Sequence, residues 1–271
     1  MTVFQNDAVL QRYLQHDISA ATPWNETIAS ILSHRSVRAY LDTPIPQGLI
    51  EILVAAAQSA ATSSNLQAWS VLTVEDPVRK ECLADLAGDQ KHIRQAPLFM
   101  IWLADLSRIK RQADSDNITI EPTLDSWLVG SIDAALAAQN AVIALESLGL
   151  GSVYIGGLRN NLAEIIELLN LPPMVFPVFG LCVGYPDPDK ATSIKPRLPQ
   201  QVVLHKERYE SADEQDHIRS YDLGVGQFYQ AQGLSNPHWS KKAIATLQSV
   251  NTAHRREEIV RVLKAQLFRV H

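Results

Sequence analysis

Leu128-Val129-Gly130-Ser131-Ile132-Asp133-Ala134-Ala135-Leu136-Ala137-Ala138-Gln139-Asn140-Ala141-Val142-Ile143-Ala144-Leu145-Glu146-Ser147-Leu148-Gly149-Leu150 carries the strongest helical pattern in the chain. Ile132, Leu136, Ala137, Asn140, Ile143, Ala144 and Leu148 recur at helical spacing on an alanine-rich background. Asp125 or Ser126 is placed to cap the start, and Gly149 or Gly151 to end it. A helix apolar on nearly every side needs cover on nearly every side, so this one belongs at a domain centre or an interface between subunits.

Working outward, Ser152-Val153-Tyr154-Ile155 is a short strand-like link into Gly156-Gly157. Asn161 with Glu164 has the spacing of a capping box, and Leu162, Ile165, Ile166 and Leu169 give the next helix its apolar face. Pro172-Pro173 stops that helix, and Val178 to Tyr185 reads as a buried strand closed by Pro186 and Pro188. On the other side, Pro97 to Ala104 is almost wholly apolar and predicts a central strand, and Gln67 to Val74 predicts another. Pro77 to Leu86 suggests a short surface helix. Residues 105–124 show no clear apolar face and are expected to form a mobile excursion or lid.

Nearer the start, Gln47 to Ala60 predicts a helix rich in Ile, Leu, Val and Ala. Thr22-Pro23 resembles a cap and first helical position, followed by an Ile28, Ile31, Leu32 stripe ending near Ser33. Residues 1–20 are polar with scattered Val, Leu and Tyr, which suits a short helix or a loose arm, and residues 213–271 predict three helices with breaks near Gly233 and Asn251. The absence of a long repeat suggests one domain over residues 1–271 with an N-terminal arm and a C-terminal helical extension.

With 271 residues, 46% hydrophobic and 20% charged, the chain has the balance of a soluble globular protein with a sizeable core. A net charge of −5 argues against nucleic-acid binding as its task, which needs a basic face. No apolar run is both long and uncharged enough to suggest a membrane span, and no secretory signal is visible. Cys82 and Cys182 fit neither a disulfide framework nor a metal spacing, which suits a cytoplasmic protein with Cys182 an inert core residue. His34, His92, His205 and His217 also lack metal-ligand spacing.

Against that acidic background, His34-Arg35-Ser36-Val37-Arg38 concentrates two guanidinium groups, an imidazole and a hydroxyl. Such donors suit a phosphate. Further polar groups stand at Thr62-Ser63-Ser64-Asn65, Gln67, Gln90, Lys195 and Arg197, and Gly156-Gly157 permits close backbone approach to a flat ring. Each has a plain alternative as a cap, a turn or a solvated charge. Together they point to a phosphorylated cofactor without specifying a flavin. No Gly-x-Gly-x-x-Gly fingerprint, phosphate-binding Gly-Lys-Ser loop or Gly-x-Ser-x-Gly elbow is complete.

An ordered series of segments resembles the FMN-dependent nitroreductases of the oxygen-insensitive NADPH type, close to the flavin reductases of luminous bacteria. It runs through His34–Arg38, Ala61–Gln67, Gly88–His92, Glu146–Gly151, Val153–Asn161, Phe179–Gly184 and Lys195–Pro199, spanning about residues 25–233. The resemblance implies an α+β nitroreductase-like fold, a mixed central sheet surrounded by helices, in an intertwined homodimer with FMN at the subunit interface. It assigns Arg35, Ser36, Arg38, Lys195 and Arg197 to the phosphate and nearby groups. His34, Thr62, Ser63, Ser64 and Gln67 would line the ribityl chain and ring, and Gln90, Ile155, Gly156 and Gly157 the isoalloxazine. The implied activity is ping-pong transfer of two electrons from NADPH or NADH to nitroaromatics, quinones or free flavin, small-molecule acceptors all. No catalytic side chain is implied. Gln232 stands where the family carries an arginine for the NADPH 2′-phosphate, with Arg94, Arg159 or Arg219 as candidates to compensate. That change favours, as the alternative, an FMN-binding sensor or storage protein with little turnover.

Overall fold

The computed structural model describes residues 9–14, 23–190, 192–235, 238–249 and 258–270, beginning with a helical turn at residues 9–13. Helix α1 (Glu26–Leu32) is capped by Asn25, whose side chain accepts from the Ile28 N–H at 2.9 Å. The start expected at Thr22-Pro23 is therefore too early: Pro23 precedes the helix, and Thr22 lies outside the described residues. Next come α2 (Leu49–Gln58), β1 (Trp69–Val74), α3 (Pro77–Leu86), α4 (Lys91–Gln95) and β2 (Leu98–Asp105). They are followed by α5 (Ser107–Ser115), α6 (Leu124–Ser147), β3 (Gly151–Ile155), α7 (Leu162–Leu168) and β4 (Val175–Gly184). The last helices are α8 (Gln200–Val203), α9 (Glu214–Ala231), α10 (Trp239–Ser249) and α11 (Ile259–Ala265). Two compact units result, one from residues 1–35 and 192–253, the other from residues 36–191 and 254–271.

The second unit holds a four-stranded sheet in the order β1-β2-β4-β3, with every neighbouring pair antiparallel. The parallel component is an isolated bridge from Ser36 to Ser152 on β3. All eight residues of β2 are buried, as its continuous apolar run predicts. Successive side chains of a strand point to opposite faces. Leu98, Met100 and Trp102 accordingly join a core with residues of α2 and α6, whereas Phe99, Ile101 and Leu103 join one with residues of α3, α4 and α7. Cys182 is fully buried in the latter, and burial pushes its thiol pKa up, disfavouring the reactive thiolate. A third cluster brings Val262, Leu263 and Phe268, from the end of the chain, against Ala104 and Phe176.

Helix α6 buries a stripe of small residues, including Ala134, Ala137, Ala138 and Ala141, which allow close packing over the sheet. Its length and composition would suffice to cross a membrane, but this stripe packs it into the core of its own unit. Its outer face leaves Leu124, Leu128, Ile132 and Leu136 at 46%, 48%, 50% and 44% exposure. The expected burial all round thus holds on one face of the chain alone. Its cap is Thr123 rather than Asp125 or Ser126: Thr123 Oγ1 accepts from Ser126 N, and Ser126 Oγ accepts from Thr123 N.

Two further expectations are corrected. Residues 105–124 contain the helix α5 instead of an open excursion. Its start is held by the buried Asp105, whose Oδ1 accepts from Ser107 N at 2.9 Å and Ser107 Oγ at 2.6 Å. Asn161 makes no capping bond for α7; its amide reaches away and donates to Leu86 O at 2.7 Å.

In the first unit, Asp222 of α9 accepts from the backbone N and the hydroxyl of Ser240 at the start of α10. Gly233, at φ +66°, follows α9 where a break is expected. Asn251, the other expected break, lies outside the described residues.

Asp133 is the buried polar anchor of α6. Only 1% exposed, it accepts from Ser63 N at 3.0 Å and from Ala68 N at 3.1 Å. Removing both acceptors leaves the buried Ala68 N–H without its partner and frees the Ser63 end of the loop. Asp133→Ala is expected to cost roughly 2–5 kcal/mol of stability, read from the shift in denaturant midpoint.

Candidate active site

The Thr62–Gln67 loop is under backbone strain. Ser64, Asn65 and Gln67 have φ of 49°, 54° and 49°, a left-handed region that side chains with a Cβ seldom occupy. Strain of this kind persists where the surroundings over-determine it, and it gathers at ligand sites. Here Asp133 holds the loop at Ser63 and Ala68, and Thr62 Oγ1 accepts from Gln67 N at 2.9 Å. Arg108 of α5 donates to Gln67 O at 2.8 Å and to Trp69 O at 3.0 Å. Ser63, Ser64, Asn65 and Gln67 are exposed, with Gln67 Nε2 donating to Asn65 Oδ1 at 3.4 Å, and Thr62 is half-buried. A cavity of ≈ 560 Å³ is lined by Gln58, Thr62, Asn65, Gln67, Ser70 and Arg108 among others.

A second corner joins the turn after β3 to the turn after α3. Asn160 and Asn161 donate to the carbonyls of Ala87 and Leu86. A Cβ on Gly157 would lie 2.3 Å from Ala87 O, so this close approach requires glycine. Gly88 and Asp89, at φ +89° and +56°, turn the chain toward Gln90, whose amide reaches Gly88 O at 3.4 Å. Gln90 is thus tied through the Ala87 turn to Gly156-Gly157, and Ile155 is buried at the end of β3. Ser36 is registered against Ser152 by the Val37 N to Ser152 O bond of 2.8 Å. Ser152 Oγ itself is buried without a hydrogen-bond partner. Arg38 is exposed and close enough to His92 to disfavour the imidazolium.

The first unit carries the remaining predicted residues. His34 is half-buried and Arg35 exposed. Lys195 and Arg197 are exposed on either side of the buried Pro196, whose carbonyl accepts from Tyr221 OH at 2.9 Å. Lys195 Nζ lies 5.2 Å from the ring centre of Tyr229. A cavity of ≈ 730 Å³ within this unit is lined by Tyr13, Lys195, Arg197, Tyr229, Trp239 and Lys242, among others.

The donors match a phosphorylated flavin in kind: exposed guanidinium and ammonium groups for a phosphate, hydroxyls and amides for a polyol, and a glycine turn for a flat ring. Two arginines outside the predicted set hold backbone here, Arg12 at Leu32, His34 and Lys195 and Arg108 at Gln67 and Trp69. Arginine bonds to distant carbonyls leave no pattern that sequence spacing could register. The arginines considered as substitutes at position 232 are engaged elsewhere. Arg94 pairs with Glu81, Asp85 and Asp89, Arg219 with Asp216, and Arg159 donates to Val178 O.

Comparison with known proteins gives a consistent result. A family model described as the nitroreductase family matches residues 31–185, and one described as the nitroreductase family, C-terminal domain, matches residues 195–271. The chain is 41% identical to the FMN reductase [NAD(P)H] of Bacillus subtilis (strain 168), covering 91% of this chain and 99% of the relative. It is 39% identical to the oxygen-insensitive NADPH nitroreductase of Salmonella typhimurium, covering 83% and 92% respectively. The solved structure of B. megaterium NfrA2 superposes with a TM-score of 0.83 at 38% identity, over 92% of this chain and all of that one.

The Arg38–His92 proximity has a titratable consequence. Burial first, and the Arg38 charge second, lower the His92 pKa below its ordinary 6.5. An imidazole whose folded pKa is depressed weakens the fold as pH falls through the unfolded value, because the unfolded chain then binds more protons. The loss is complete below the folded pKa. In Arg38→Ala the His92 pKa should rise toward, but stay below, 6.5, since burial remains. NMR titration of the imidazole Cε1–H measures this, and the acid-side loss of stability should shrink with it.

Proposed function

The chain belongs to the nitroreductase family, and from that premise we propose that it is an FMN-dependent oxidoreductase carrying two electrons from NAD(P)H to nitroaromatics, quinones or free flavin. The observation that carries this reading is the strained Thr62–Gln67 loop, held by Asp133 and Arg108, with Ser63, Ser64, Asn65 and Gln67 exposed. Relatives named as an FMN reductase and an NADPH nitroreductase, aligned over most of the chain, support the same chemistry.

The cofactor-binding candidates within the second unit are Ser36, Arg38, Thr62, Ser63, Ser64, Gln67, Gln90, Ile155, Gly156 and Gly157, and those within the first are His34, Arg35, Lys195 and Arg197. The cations take the phosphate. The hydroxyls and amides take the ribityl chain and ring edge, and the Gly156-Gly157 turn leaves room for the ring. FMN, when bound, supplies hydride acceptance and two-electron release; the protein supplies orientation, a fixed field and control of water. The donor leaves before the acceptor enters, which makes the kinetics ping-pong. The protein acts in the cytoplasm as a homodimer, with the exposed Leu124, Leu128, Ile132 and Leu136 face of α6 covered by a second copy.

A second reading, an FMN-binding sensor or store with little turnover, draws on one observation. Gln232 brings no charge of its own, and Arg94 is paired with Glu81, Asp85 and Asp89, Arg219 with Asp216, and Arg159 with Val178 O. Stopped-flow mixing of the yellow protein with each nicotinamide donor separates the two. Rapid bleaching by NADPH or NADH is expected, and a flavin that stays oxidised with both would leave only the sensor. Arg197→Ala should weaken FMN retention by roughly 1.5–3 kcal/mol through loss of a bond to a charged phosphate, measured by fluorescence titration.

A further inference from the structure

Arg12 lies ahead of the family-model match, which begins at residue 31, yet it is 6% exposed. A guanidinium so far removed from water needs hydrogen-bond acceptors to offset its desolvation. Nη1 donates to Lys195 O at 2.8 Å, and Nη2 donates to Leu32 O at 2.8 Å and His34 O at 2.7 Å. The backbone carbonyl of Arg12 accepts from Arg197 N at 2.8 Å. One residue therefore clasps both segments from which the first unit extends its candidate phosphate-binding cations: the His34-Arg35 segment, with Arg35, and Lys195-Pro196-Arg197, with Lys195 and Arg197. All these residues lie in the same unit. The helical turn that carries Arg12 is itself seated there, with Val9 buried and Leu14 against Gly224 of α9.

The clasp acts on backbone carbonyls, leaving the cationic side chains exposed. Pro196 stiffens the bridge between Lys195 and Arg197, and the Tyr221 bond to Pro196 O fixes its far side. Three carbonyls reached from one planar group require the fork of an arginine; an ammonium on a flexible stem concentrates its donors at a single atom.

We propose that Arg12 is a positioning residue for the cofactor phosphate. It sets the backbone at His34, next to Arg35, and at Lys195–Arg197, so that the cationic side chains of Arg35, Lys195 and Arg197 are presented to the anion already in place. This rests on the FMN reading above. Preorganisation improves affinity by lowering the cost of ordering the site when the ligand binds. The effect should be confined to ligands that carry the phosphate.

The test measures FMN and riboflavin affinity by flavin-fluorescence quenching in the full-length protein, Arg12→Met and Arg12→Lys. Methionine keeps much of the apolar stem and removes every donor; lysine keeps the charge and loses the fork. FMN affinity is expected to fall about tenfold or more in Arg12→Met, with riboflavin affinity within about twofold of wild type, so that discrimination between the two collapses. Arg12→Lys should also lose discrimination, to a smaller degree, and decides the matter alone if the methionine variant does not fold. Equal losses for both flavins would show a general structural role and overturn the proposal. A wild-type FMN-to-riboflavin ratio in Arg12→Lys would overturn it too. A wild-type protein that binds no FMN would instead overturn the functional reading on which the proposal stands.

Discussion

A single buried carboxylate decides the shape of the second unit's polar loop. Asp133 is carried to its place by the alanine stripe of α6, which lets the helix lie close over the sheet. From there it accepts from the N–H groups of Ser63 and Ala68, on either side of the strained residues. A buried charge is tolerable only where it is hydrogen-bonded, and a strained loop persists only where something holds it. Each condition is met by the other. The helix, the loop and the hydroxyls that the loop exposes are therefore one structural device.

Eight cations of this acidic chain show three different arrangements. Arg94 and Arg219 are paired with carboxylates, and Arg12 and Arg108 brace backbone carbonyls. Arg35, Arg38, Lys195 and Arg197 are exposed. Guanidinium groups that shape loops need fixed acceptors on the protein; those that meet a dianion must keep donors directed outward.

Much of the architecture was legible because it rests on periodicity. The run at Leu98 to Ala104 had to be a covered strand, and the pattern around Ile132 to Leu148 had to be a long helix; both are present. What periodicity does not encode was misplaced. The α5 helix is polar along most of its surface and is anchored by Asp105, so it lacks the apolar stripe by which helices are recognised. Thr123 displaced Asp125 as a cap because capping depends on a local backbone turn as well as on residue type. Asn161 gave up its expected cap to bind Leu86 O, a partner distant in sequence. Lys195 and Arg197 stood out as a basic pair around a proline, but their link to the His34 segment passes through Arg12, in an arm whose sequence is featureless.

The left-handed residues of the Thr62–Gln67 loop have an evolutionary consequence. Glycine at 64, 65 or 67 would occupy the same backbone at lower conformational strain. Laboratory selection for heat resistance would therefore drift toward glycine at these three positions. Each such change would also delete a hydroxyl or an amide, so durability gained there comes at the expense of grip on a ligand.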